Sequence, residues 1–189
     1  GHRINNDMLR RCGSGYVAPH GEDFMVSKDQ WYMGVTLQYG PDGAVFVIDW
    51  SDTGECHSYT NTRRETGRIY KISYGKPPRR SFYFAKMTTL QLVELQKHPN
   101  DWFVRHARRR LQERAAAGEE MSDAHEELKA LYMEDANVPR RLRAIWALHA
   151  TDGLSDEFLT RQLDDASENI RAWSVRLLCE DGQPPRAAL

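Results

Sequence analysis

Gly40-Pro41-Asp42-Gly43-Ala44-Val45-Phe46-Val47-Ile48-Asp49-Trp50 reads as a tight turn that runs directly into a β-strand ending on a carboxylate. Pro41 sets φ near the value that the second position of a type I turn needs, Asp42 can bond back to its own backbone, and Gly43 supplies a permissive backbone. The run of β-formers from Ala44 to Ile48 then extends. Beyond it comes a polar loop, Asp52-Thr53-Gly54-Glu55-Cys56-His57, and a second strand within Thr66 to Gly75, where Ile69, Lys71 and Ser73 alternate with Tyr70, Ile72 and Tyr74. This turn-strand-loop-strand pattern is the signature of a β-propeller blade. A blade takes about 40–45 residues and a propeller at least four blades, so the first 75 residues are expected to hold one blade and part of another, as a fragment of a longer propeller.

Working outward, Gly75-Lys76-Pro77-Pro78-Arg79-Arg80 closes the β-rich part, since paired prolines stop both strand pairing and helix. After it the apolar period changes from two to about 3.6. Leu90, Val93 and Leu95 mark one helix, and Phe103, Ala107 and Leu111 the next. Leu128, Leu131 and Tyr132 are answered by Leu142, Ile145, Trp146 and His149; Phe158, Leu159 and Leu163 by Ile170, Trp173, Ser174 and Leu177. Turns rich in Asp, Asn and Pro separate the members of each pair. Arg105, Arg141 and Arg171 stand early in each second helix, 36 and 30 residues apart. This is the loose period of a HEAT-type solenoid of helical hairpins, with Trp146 and Trp173 expected in its core. The pattern predicts an α+β chain: residues 1–75 the end of a propeller, 76–84 a linker, and 85–189 about three helical repeats.

The formal net charge of −1 conceals a division along the chain. Lys and Arg against Asp and Glu count 8 to 9 over residues 1–75, 10 to 3 over 76–118, and 8 to 15 over 119–189. The basic segment holds Arg105, Arg108, Arg109, Arg110 and Arg114 on one helix. Its carboxylate-rich neighbours cancel the long-range field on which phosphate binding depends, so no nucleic-acid partner is expected; these arginines should be solvated or pair with the acidic repeats. Cys12, Cys56 and Cys179 are too few and too scattered for a disulfide framework or zinc cluster. They read as partly buried free thiols, with a Cys12–Cys56 bridge the alternative in an exported protein. No stretch reads as a transmembrane segment, an export signal or a C-x-x-C-H haem site.

The densest group of reactive side chains is Asp49, Asp52, Glu55, Cys56 and His57. Three carboxylates and an imidazole within nine residues, at the end of a propeller strand, can hold a cation or take a substrate proton. The spacing fits neither an EF-hand nor a zinc site, so the metal stays unassigned. Against this stands a structural role, with Asp49 and Asp52 capping the turn through backbone N–H groups and Glu55 and His57 solvated or paired with Arg63 or Arg64. His2, Arg3, Asn5, Asn6 and Asp7 form a second polar cluster, and His20, Glu22 and Asp23 a third, each read first as satisfied surface groups.

GHRINNDMLRRCGSGYVAPHGEDF (1–24), GPDGAVFVIDWSDTGECH (40–57) and TGRIYKISYG (66–75) resemble the end of the propeller in the large "membrane-bound dehydrogenase domain" proteins of planctomycetes and verrucomicrobia. The helical repeats continue that resemblance over nearly the whole chain. Many members end in a c-type cytochrome module, and their propellers are similar to soluble sugar dehydrogenases that use pyrroloquinoline quinone. The resemblance implies a periplasmic protein that oxidises a sugar or alcohol and passes electrons to haem, with pyrroloquinoline quinone, calcium and a c-type haem in the parent and no haem site in this chain. On that reading Asp52 and His57 are the catalytic candidates and Asp49 and Glu55 the cofactor-binding ones. The alternative is a non-enzymatic scaffold whose propeller and repeats bind a polysaccharide, a protein partner or the attached cytochrome.

Overall fold

The computed structural model describes residues 2–51, 53, 65–77 and 81–186. The chain is mixed α+β, small antiparallel sheets followed by six helices among these residues. It divides into two compact units, Gly1–Arg80 and Ser81–Leu189.

In the first unit, β1 (Arg3–Ile4) pairs with β4 (Met25–Val26), and β2 (Arg10–Cys12) with β3 (Gly15–Val17). The main sheet is three-stranded, in the order β5 (Gly34–Tyr39), β6 (Val45–Asp49), β7 (Arg68–Ile72). The turn between β5 and β6 forms as its residues require: the Gly43 N–H donates to the Gly40 carbonyl, Asp42 Oδ1 accepts from the Ala44 N–H, and Gly43 sits at φ +77°. Lys71 closes on Asp42 from the third strand. β7 is shorter than the alternation suggested, because Ser73 and Tyr74 lie beyond the ladder.

Strand alternation gives the sheet two faces. Val45, Val47 and Ile72 pack inward with Ile4, Met25 and Tyr32 around a small core. On the other face Ile48 and Ile69 are cross-strand partners that stay exposed, at 45% and 73%, with Trp50 at 62% just past β6.

The second unit has a larger core. Its helices are α1 (Thr89–Glu94), α2 (Asp101–Ala116), α3 (Ser122–Glu134), α4 (Val138–Ala150), α5 (Asp156–Arg161) and α6 (Glu168–Leu178). α1 begins with a reciprocal capping box between Thr88 and Gln91, while Asn100, Asn137 and Ser155 cap α2, α4 and α5 through their side chains. α1 packs on α2, α3 on α4 and α5 on α6; the second members also stack in a row, α2 on α4 and α4 on α6. Leu92, Ala107, Leu111, Leu128, Tyr132, Ile145, Leu148 and Ile170 fill the space between them. In α1 the core position is Leu92 and not Leu90, which is 47% exposed: a six-residue helix buries one narrow stripe, and the register of that stripe is fixed by Val93. Trp146 and Trp173 are half-buried on the margin of this core, not inside it. No helix among the described residues is long and apolar enough to cross a membrane.

Candidate functional site

Asp49 stands at the end of β6, opposite Gly34 on one side and Arg68 on the other. Alternation from Val47 turns its side chain inward, where it is only 1% exposed. A buried carboxylate needs hydrogen-bond donors on its oxygens, and here both oxygens have them. Oδ1 accepts the N–H groups of Met33 (2.8 Å) and Ser51 (2.9 Å), and Oδ2 accepts Arg68 Nε (2.8 Å); Arg68 Nη2 stands 2.6 Å from Oδ2 as an ion-pair contact without hydrogen-bond geometry. Arg68 Nη1 donates onward to Asp29 Oδ2 (2.7 Å), while Asp29 Oδ1 accepts the Trp31 N–H. The Trp31 N–H and Arg68 hold the Asp29 carboxyl below its ordinary range, and Asp29 with Asp49 raises Arg68 further. The Asp49 carboxylate is thus the centre of a three-way structural clasp, with both its oxygens already engaged. The Ser51 hydroxyl, 2.9 Å from Thr66 Oγ1, adds a second tie across the same base.

Asp52, Glu55 and His57, with Cys56, Arg63 and Arg64, lie outside the described residues. Among the described residues no three His, Cys, Asp or Glu side chains are grouped to hold a metal ion. Cys12 and Cys179 are exposed free thiols, not the partly buried ones expected, because Cys12 ends a two-stranded ribbon and Cys179 follows the last turn of α6.

Beside the clasp Tyr32 is 2% exposed, its hydroxyl buried without a hydrogen-bond partner among the described residues. Burial and the charge of Asp49 raise its pKa. A Cβ on Gly34 would stand 2.7 Å from that hydroxyl, so the tyrosine dictates the glycine.

The second and third polar clusters converge. Asp7 and His20 form an isolated antiparallel bridge, His20 Nδ1 lies 2.9 Å from Asp7 Oδ1, and Nε2 lies 3.2 Å from Asp23 Oδ1, with Arg3 3.4 Å from Asp23 Oδ2. The hydrogen bond to Asp7 raises the His20 pKa. This is a satisfied surface histidine between two carboxylates.

In the helical unit the basic helix finds its partners mostly within itself, and not on the acidic repeats. Arg105 meets Asp101, Arg109 and Arg110 share Glu113, and Arg114 reaches Glu119 and the Met87 carbonyl. The first three are the i,i+3 and i,i+4 pairs that helix geometry favours. Arg108 differs. It is half-buried, its guanidinium lies 5.4 Å from the Trp146 ring centroid, and its Nη1 is enclosed without an acceptor among the described residues. Burial lowers its pKa. Trp146 meets Trp173 edge-on at 4.9 Å, and Arg176 lies 4.9 Å over Trp173. Sequence reading missed this line of four side chains because Trp146 and Trp173 were assigned to the core. The signal was the arginine that accompanies each tryptophan on its own or the preceding second helix.

Two grooves accompany these features. One of about 470 Å³ is lined by His125, Lys129, Asp152, Phe158 and Arg161, and one of about 290 Å³ by His149, Asp156, Leu159, Leu177 and Glu180. His125 is bound to Thr151, and His149 to Glu180 at 3.0 Å.

A family profile described as "Domain of unknown function (DUF7133)" matches residues 4–76, less than half of the 189-residue chain. No curated protein and no solved structure matches the chain. The first unit is therefore similar to a recurrent domain whose description carries no activity.

Proposed function

We propose that this chain is the junction of a longer propeller-and-repeat protein of the dehydrogenase-like class, in which the three-stranded sheet completes a propeller blade and the helices begin a HEAT-type array. The observation that carries the reading is the unpartnered sheet face with Ile48, Trp50 and Ile69. A blade buries both faces against its neighbours, and three strands with one apolar face open to water are what remains when those neighbours are missing. The activity proposed for the parent is quinone-dependent oxidation of a sugar or alcohol in the periplasm, with electrons passed to a c-type haem. In this chain Asp49 takes no chemical part in it. Its clasp with Arg68 anchors both ends of the segment that carries Asp52, Glu55 and His57, the residues through which this chain would reach substrate or cofactor. The test is dye reduction by the longer protein over a panel of sugars and alcohols, with and without added pyrroloquinoline quinone. Quinone-dependent turnover is expected, and its absence across the panel would reject the activity.

A second reading, the non-enzymatic scaffold, is favoured by the Arg108-Trp146-Trp173-Arg176 line. Aromatic and arginine side chains held half-open are the groups that dominate protein interfaces.

A further inference from the structure

The second helices α2, α4 and α6 stack in a row, and one side chain line crosses all three: Arg108, Trp146, Trp173 and Arg176, each in ring or cation–π contact with the next. Other arginines on this side of the unit are compensated. Arg105 pairs with Asp101, and Arg143 is held by Asp101 and by the Gln96 and His98 carbonyls. Arg108 and Arg176 have no carboxylate partner among the described residues, although a guanidinium satisfies its geometry best on a carboxylate. Arg108 Nη1 and Trp146 Nε1 are enclosed without acceptors among the described residues. Buried donors are nearly always matched. Local departures of this kind concentrate where a surface serves function.

We propose that this line is a docking strip for an extended acidic segment of a protein partner, whose side-chain carboxylates neutralise Arg108 and Arg176 while its backbone and aliphatic stems lie across the two indoles. Charge decides the occupant. The strip offers two guanidiniums without a direct ion-pair partner among the described residues, Arg176 and an Arg108 that feels only the more distant Asp101 charge, separated by apolar rings; this suits carboxylates spaced along a strand, where alternate side chains share a side at about 3.3 Å per residue. A nucleic acid needs a continuous positive field. Here that field is broken by Asp101, Glu113 and Glu119, each already paired with arginines of α2.

The inference rests on the scaffold reading, and its readout is equilibrium binding, so its failure is distinct from any outcome of the dye-reduction test. Fluorescein-labelled decaglutamate is titrated with the full chain at low salt, followed by anisotropy, against a labelled single-stranded oligonucleotide of equal length. Decaglutamate should bind more tightly than the oligonucleotide. Arg108→Gln and Arg176→Gln should each weaken binding about tenfold, the scale of one charge-assisted contact. Lys129→Gln, off the strip, should leave it within about twofold. Arg176 is exposed, so its variant keeps the fold even where Arg108→Gln does not. Absence of decaglutamate binding, tighter binding of the oligonucleotide, or equal binding by wild type and Arg176→Gln would each overturn the proposal.

Discussion

Asp49 illustrates how a reactive residue type becomes a structural one. Its position at a strand end in a polar run was legible in the sequence. Its partners were not, because Arg68 and Asp29 lie nineteen and twenty residues away and only the β5-β6-β7 pairing brings them in. Residue type and spacing report local chemistry, whereas burial is a property of the fold. The consequence is measurable. Asp49→Ala removes a carboxylate that binds two backbone N–H groups and a guanidinium, and should cost about 3 kcal/mol, within the range for breaking a buried ion pair from one side; the midpoint of urea unfolding of the first unit reports it. Tyr32→Phe should do the opposite or nothing, since it deletes a buried hydroxyl that has no partner among the described residues, and such a deletion relieves a desolvation cost. A loss above about 1 kcal/mol in Tyr32→Phe would mean that the hydroxyl is satisfied after all.

The helices were the most legible elements, because a 3.6 period sustained over ten residues, with Asn or Ser caps at its start, leaves little else for the chain to do. What the period could not show is how successive pairs are tied. Tyr132 from α3 donates to Gln162 and to Asp165, and Arg141 from α4 grips Asp165 and the Tyr132 carbonyl. Burial, and then the hydrogen bond to Asp165, push the Tyr132 phenol up to about 12. Burial alone would raise the Asp165 carboxyl, but Arg141, the Ser167 N–H and Tyr132 together outweigh it and leave it below its ordinary range. A carboxyl depressed by folding stabilises the folded state above its unfolded pKa, near 3.9, and that contribution is lost as pH falls through the lower folded value. Thermal melts of wild type from pH 5 to pH 2 should therefore show a decline that Asp165→Asn flattens. An identical acid limb in the variant would place the sensitivity in other carboxylates. At the alkaline end the phenol works the other way: stability is kept below about 10, where an unfolded tyrosine ionises, and lost as pH rises toward 12. Tyr132→Phe should remove that alkaline loss.

For the molecule as a whole, two units with separate cores differ in how completely each covers itself. Among the described residues the helical unit encloses fifteen buried residues in one cluster, while the first unit encloses three and leaves Ile48, Trp50 and Ile69 exposed on a sheet face. β5, at the sheet edge, is exposed along all six residues, and an uncovered edge beside an apolar face invites pairing with another strand. Residues 81–189 alone should then fold to a monomer with a cooperative helical melt, whereas the 189-residue chain should self-associate as its concentration rises. Light scattering separates the two. Replacing Ile69 by Lys puts a charge in the middle of the open face, where the side chain is already 73% exposed, so it should suppress association without lowering the melting temperature by more than a few degrees. A chain that stays monomeric at every concentration would remove the argument that this sheet face is built to be covered. Association undiminished by Ile69→Lys would move it to the β5 edge, where a proline in place of Leu37, whose N–H the pairing with β6 turns outward, should then abolish it.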